Sequence, residues 1–192
     1  MKSGLFAKTV RPAILTVSRS DGVRRAAQRL SVTNKVVHRF VPGETLDHVM
    51  SSVAALRDSD RLVSIDYLGE DVADVDGANA TVRAYFELLG LLGDRPDAMH
   101  DGVRPLEVSL KLSALGQALD RDGNKIALEN AHAICERAER LGAWVTVDAE
   151  DHTTTDPTLS IAADLRAEFL WLGVVLQACL RRTFGDCEQA AA

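Results

Sequence analysis

Apolar residues recur at helical spacing through the first sixty positions of the chain. Asp21, a residue type suited to capping, precedes Val23, Ala27 and Leu30, which fall on one side of a helix. Beyond the Pro42-Gly43 turn, Leu46, Val49, Met50, Val53 and Leu56 form an amphipathic stripe that Thr45 is placed to cap. From residue 61 the period changes. Residues 62–67 are a short β-like run closed by Gly69, and a helix follows after Asn79 with Val82, Tyr85, Phe86, Leu89 and Leu92 on one face. Residues 107–112 read as a second strand. The Asp122-Gly123 turn opens a helix with Ile126, Ala131, Ile134, Cys135, Ala138 and Leu141 inward, and Gly142 stops it. Residues 144–147 read as a third strand. Asp156 as cap, with Pro157 at the first helical position, starts a helix through Leu159, Ile161, Ala162 and Leu165, and residues 173–176 read as a fourth strand.

Strand and helix thus alternate four times, which predicts an α/β fold with a parallel sheet built by right-handed crossovers. No Gly-x-Gly-x-x-Gly follows the first strand and no Gly-x-x-x-x-Gly-Lys-Ser/Thr occurs, which argues against either common nucleotide-phosphate cradle. Each predicted strand instead ends in a polar or charged residue: Asp66, Lys111, Asp148 and Gln177. Alternation puts Ser109, Lys111 and Ser113 on one face of the second strand, and Thr146 and Asp148 on one face of the third. A parallel sheet covered on both faces reads as nearly continuous apolar residues. Polar groups seeded at the carboxyl ends mark the address of a (β/α)-barrel active site.

Lys111 and Asp148 are the sharpest pair. On neighbouring strand ends they would match each other's charge, leaving the lysine to hold an anionic ligand. The plain alternative is a solvent-facing lysine and a helix-capping aspartate. Glu150, Asp151 and His152 make a weak case for metal, because no second histidine lies at ligand spacing. A hydrolase reading of Asp151-His152 lacks a nucleophile elbow.

Composition narrows the class. The 192 residues are 46% hydrophobic and 26% charged with a formal net charge of −6, which predicts a soluble globular domain. It excludes a disordered tail, a collagen-like repeat and a disulfide-stapled miniature. Cys135, Cys179 and Cys187 form no Cys-x-x-Cys pair, so a reducing, cytoplasmic setting is expected. No stretch approaches the roughly 20 apolar residues of a membrane span, and Lys8 and Arg11 break the apolar runs of the basic start, a poor signal peptide. Residues 1–40 carry nine Lys or Arg and a single acid, Asp21, on a chain that is acidic thereafter. Such an arm is either a solvated helix packing on the acidic body or a contact for an anionic surface. No motif for nucleic-acid recognition supports a DNA or RNA partner.

Three segments carry a resemblance. Residues 107–115 (Glu-Val-Ser-Leu-Lys-Leu-Ser-Ala-Leu), 147–150 (Val-Asp-Ala-Glu) and 174–178 (Val-Val-Leu-Gln-Ala) resemble consecutive strands of the proline dehydrogenase family. Residues 40–45 and 66–70 resemble upstream segments of its monofunctional bacterial members, and the similarity extends from about residue 30 to 182. Three motifs in order at credible spacing are far more specific than any alone.

The resemblance implies a (β/α)8 TIM-like barrel with FAD at the carboxyl ends of its strands. The family oxidises L-proline to Δ1-pyrroline-5-carboxylate and passes electrons to a membrane quinone. By the same resemblance Lys111 meets the substrate carboxylate and Asp148 is the catalytic residue beside substrate and lysine. Ala149, through its backbone, and Gln177 contact the flavin.

The family's barrel continues for four more strands that bring further arginines to the site, and Arg181-Arg182, directly after the fourth strand, are not that late pair. The expectation is therefore a truncated barrel of about four βα units preceded by N-terminal helices. A helical arm occupies residues 1–60, a partial barrel 61–182 and a divergent tail 183–192. Flavin-dependent proline oxidation would be impaired by truncation. The alternative is a non-catalytic half-barrel fragment or assembly module that pairs as a homodimer through open sheet edges. The expected place is the cytoplasm, with peripheral contact at the inner face of the membrane through the quinone acceptor and the basic arm.

Overall fold

The structure, a computed structural model, describes residues 45–67, 72–93 and 106–191. The predicted helix after Asp21 and the basic arm lie outside these residues. The chain divides into two compact units, Met1–Ser52 and Val53–Ala192. Helix α1 (Leu46–Arg57) crosses the division, and in its first turn His48 N–H donates to Thr45 Oγ1 at 3.4 Å, the capping role expected of Thr45.

The second unit holds a four-stranded sheet. Its strands are β1 (Val63–Asp66), β2 (Leu106–Leu110), β3 (Trp144–Val147) and β4 (Gly173–Val174). All three pairings are parallel and the spatial order is β1-β2-β3-β4. A doubly wound sheet reverses direction at a switch point; sequential order is the arrangement of a (β/α) barrel. Helices α2 (Val75–Gly93), α3 (Gly123–Leu141) and α4 (Thr155–Arg166) follow β1, β2 and β3, and α5 (Thr183–Ala191) follows β4.

Several boundaries differ from the sequence pattern for identifiable reasons. Asp74 accepts a hydrogen bond from Gly77 N–H at 2.8 Å, so α2 begins at Val75 and not after Asn79. Its buried face runs through Ala78, Thr81, Tyr85, Leu88, Leu89 and Leu92, which turns Phe86 outward and Leu88 inward. Strand β2 ends at Leu110, and a short 3₁₀ turn (Ser113–Leu115) takes over. Lys111 therefore projects from the loop at the strand's end. Helix α4 begins at Thr155 with Thr154 at its cap, placing Asp156 and Pro157 inside the first turn. Pro157 sits there without loss, since that turn has no intrahelical N–H bonds to forfeit. Helix α3 stops as expected: Gly142 takes φ 69° and its N–H donates to the carbonyls of Ala138 and Glu139.

The core lies between the sheet and its helices. Val108, Leu110, Val145 and Val147 are completely buried on one sheet face, as are Leu89, Ala131, Ile134 and Cys135 of α2 and α3, with α2 packed on α3 and α3 against β3. Burying each such side chain contributes about 1.5–3 kcal/mol. The opposite face is polar. Strand register lines up Asp66, Ser109, Thr146 and Gly173 in one row, and Ser64, Glu107 and Trp144 in the row below. Ser64 Oγ donates to Glu107 Oε1 at 2.9 Å, linking β1 and β2 across that face.

Candidate active site

Successive strands deliver their polar ends to one rim. Asp66 closes β1, Lys111 stands one residue past β2 and Asp148 one residue past β3. Asp148 N–H donates to Leu110 O at 2.8 Å and Val175 N–H to Val147 O at 2.9 Å, carrying the parallel ladder one residue beyond each strand. That extension is why the side chains after β2 and β3 remain in register.

Lys111 is the centre of the rim. Its ammonium forms an ion pair with Asp66 Oδ2, and Asp148 Oδ2 lies 3.7 Å from the same nitrogen. The lysine side chain is only 11% exposed, against 33% and 29% for the two carboxylates. An ammonium so withdrawn from water needs its charge matched, and here two strands supply the match. Lys111 and Asp148 thus converge as the sequence suggested, with Asp66 as the second partner. Alternation exposed Asp66 as a polar strand end, and the barrel order put β1 beside β2, but the spacing did not single out Asp66 as a partner of Lys111.

Tyr85 of α2 reaches under this cluster. Its hydroxyl donates to Ser109 O at 2.6 Å, and its ring meets Tyr67 edge to face at 5.9 Å between centroids. Burial pushes the phenol's pKa well above its usual value of 10.0, and the negative charge of Asp66 adds to the shift. Tyr85 therefore stays a neutral donor beneath an anionic rim.

The two residues assigned to the flavin by resemblance are held by other contacts. Ala149 N–H donates to Asp148 Oδ1 at 2.9 Å. Gln177 Nε2 donates to Glu150 O at 2.7 Å, and because a backbone carbonyl only accepts, Gln177 Oε1 is left as its acceptor end. Both residues line a shallow cleft between the loops after β3 and β4, shared with Glu150, Thr158, Val175 and Leu180. Lys111 and Asp148 lie outside that lining.

Glu150 carries more contacts than its sequence neighbourhood suggested. Its carboxylate accepts from Ser113 N–H at 3.0 Å and also from Ser113 Oγ. Asp151 turns away: it accepts from Thr153 N–H and Oγ1, which holds its carboxyl below the ordinary range, and it contacts His152 at 3.2 Å on the surface. Arg182 is bonded through Nε and Nη2 to Asp186 and through Nη1 to Asp156. Those bonds, to Asp186 first, raise its pKa further and make it a fastener for α5.

A family model described as proline dehydrogenase matches residues 49–192. The chain belongs to the proline dehydrogenase family. The match includes residues 183–191, which form α5. A proline dehydrogenase of Deinococcus radiodurans is 34% identical over 179 residues, covering 92% of this chain and 54% of that protein. Proline dehydrogenase 1 of Bacillus subtilis strain 168 is 33% identical over 148 residues, covering 77% and 46%. The chain thus spans about half the length of these relatives. Among solved structures, proline utilization A from Bdellovibrio bacteriovorus, inactivated by N-propargylglycine, superposes with a TM-score of 0.72 at 23% identity, over 82% of this chain and 18% of that one. That likeness supports the barrel-type fold of this proline dehydrogenase family member. Among the described residues no helix is long and apolar enough to cross a membrane.

Proposed function

We propose that the chain serves the FAD-dependent oxidation of L-proline to Δ1-pyrroline-5-carboxylate, with electrons passing on to a membrane quinone. The observation that carries this reading is the Lys111 ammonium standing between Asp66 and Asp148 at the ends of three parallel strands, in a chain of this family. Lys111 binds the substrate carboxylate. Asp66 and Asp148 hold its nitrogen in place, so little freedom is lost when substrate arrives. Two carboxylates facing one ammonium leave the trio net negative, which also favours the cationic ring nitrogen of free proline on the Asp148 side.

Ala149 and Gln177 are the residues of this chain that would hold the flavin. The donor set fits: one amide N–H of Gln177 bonds to Glu150 O, which orients Oε1 as an acceptor for the ring N–H of an isoalloxazine. A bound flavin supplies the two-electron acceptor for the hydride that leaves the carbon beside the proline nitrogen. We extend the proposal to a cytoplasmic chain whose basic residues 1–40 meet anionic lipid at the inner membrane face.

Flavin absorbance of the purified chain and proline-dependent reduction of a dye test the reading. Lys111→Met should abolish dye reduction. A Lys111→Met chain that turns over proline normally, or a wild-type chain that takes up no flavin, overturns it. A second reading, an assembly module pairing as a homodimer, draws on β1 and β4, each hydrogen-bonded to a neighbouring strand on one side only among the described residues. A colourless, stable dimer unresponsive to proline would favour it.

A further inference from the structure

Glu150 meets the loops on both sides of its own, one through its carboxylate and the other through its backbone carbonyl. It stands three residues beyond β3, in the loop that carries Asp148 and Ala149. Its carboxylate receives both the N–H and the hydroxyl of Ser113, two residues beyond Lys111 in the loop after β2. Its carbonyl receives the amide of Gln177, in the loop after β4. Gln177 in turn accepts through its own carbonyl from Thr183 Oγ1 at 2.5 Å, tying that loop to the start of α5. Three loops, each bearing a candidate site residue, are thereby joined through one residue.

The chemistry of that join is strong. A carboxylate accepting from a backbone N–H and a hydroxyl makes charge-assisted bonds, stronger and more directional than neutral ones. The paired acceptor oxygens fix the turn that begins at Ser113, and that turn sets where the Lys111 side chain leaves the backbone. We propose that Glu150 is a positioning residue, which holds Lys111 and Gln177 in register with Asp148. It touches none of the three charged atoms of the rim itself, so it acts through the loops. The importance of that register for proline oxidation rests on the function proposed above; the clamp itself does not.

The test pairs two readouts on the full chain. In Glu150→Ala, acylation of Lys111 by acetic anhydride, followed by mass spectrometry, should rise severalfold, while Lys125, on the surface of α3, keeps its rate. Proline-dependent dye reduction should fall by about ten- to a hundredfold in kcat/KM, the order expected when reacting groups are misplaced by an ångström or less. Glu150→Gln, which keeps the side-chain length and one acceptor oxygen, should restore most of both. Ser113→Ala removes the hydroxyl without touching Glu150 and should shift Lys111 acylation in the same direction, which covers the case in which Glu150→Ala does not fold. Unchanged Lys111 acylation in folded Glu150→Ala, or in Ser113→Ala if the former is unfolded, overturns the proposal. So does a loss that Glu150→Gln fails to rescue. A wild-type chain without proline turnover would defeat the function reading alone, because the acylation arm still decides the clamp.

Discussion

The two faces of the four-stranded sheet are made from the same short runs of residues and have opposite characters. On the helix side Val108, Leu110, Val145 and Val147 are completely buried. On the other side Ser64, Glu107, Ser109 and Thr146 form polar rows that lead up to the charged rim of Asp66, Lys111 and Asp148. The buried face answers the requirement to fold, since it removes apolar area from water against α2 and α3. The polar face contributes little of that kind and would be a poor choice if stability were the sole demand. Its residues hold charge and hydrogen-bonding groups in fixed register along the strands.

This division can be broken most sharply by paired truncations. Leu110→Ala, on the buried face, should cost about 2–5 kcal/mol in unfolding free energy. Ser64→Ala, on the polar face, removes an exposed hydrogen bond and should change stability by no more than about 0.5 kcal/mol. Urea midpoints of the two variants check the contrast, and similar losses would show that both faces are structural.

Tyr85→Phe tests the link between the faces, because this side chain belongs to the core and bonds to the backbone of β2 beneath the rim. Losing its bond to Ser109 O should cost about 1 kcal/mol, read as a lowered thermal midpoint.

The thiols sharpen the comparison with the smallest effect on the protein. Burial, aided by the charge of Glu139, pushes the Cys135 thiol up from 9.0 to about 12, whereas Cys179 and Cys187 are exposed. A thiol reagent at neutral pH should therefore modify Cys179 and Cys187 in the native chain and Cys135 only after denaturation. The unfolded thiol ionises at lower pH than the folded one, so the unfolded state loses its proton first as pH rises. Stability should accordingly decline between about pH 9 and 12, and a Cys135→Ser chain should show a weaker decline over that window.

Much of this organisation was legible along the chain. The alternation of strand and helix, the stop at Gly142 and the third strand follow from local chemistry: glycine tolerates φ 69°, and residues 144–147 alternate with period two. Lys111 and Asp148 were legible as strand-end polar groups in motifs of the family. Asp66 was visible as the same kind of group, yet its bond to Lys111 joins residues 45 positions apart, a separation no local pattern reports. Glu150 was the least legible, because its neighbours Asp151 and His152 suggested a metal cluster while its partners lie in other loops. Phe86 lies outward and Leu88 inward because α2 buries the face through Ala78, Thr81, Tyr85, Leu88 and Leu92, a choice made by packing against α3 and not by the apolar period.

Sequence alone determined the α/β alternation, the parallel order that crossovers impose, and the residue types at the strand ends, since backbone sterics and apolar periodicity act over a few residues. Only the tertiary structure decided that Lys111 pairs with Asp66 as well as Asp148, that Gln177 presents its oxygen, and that Glu150 joins three loops. Those outcomes depend on strand register and on which side chain reaches a buried charge first, and both are settled by packing between segments far apart in the chain.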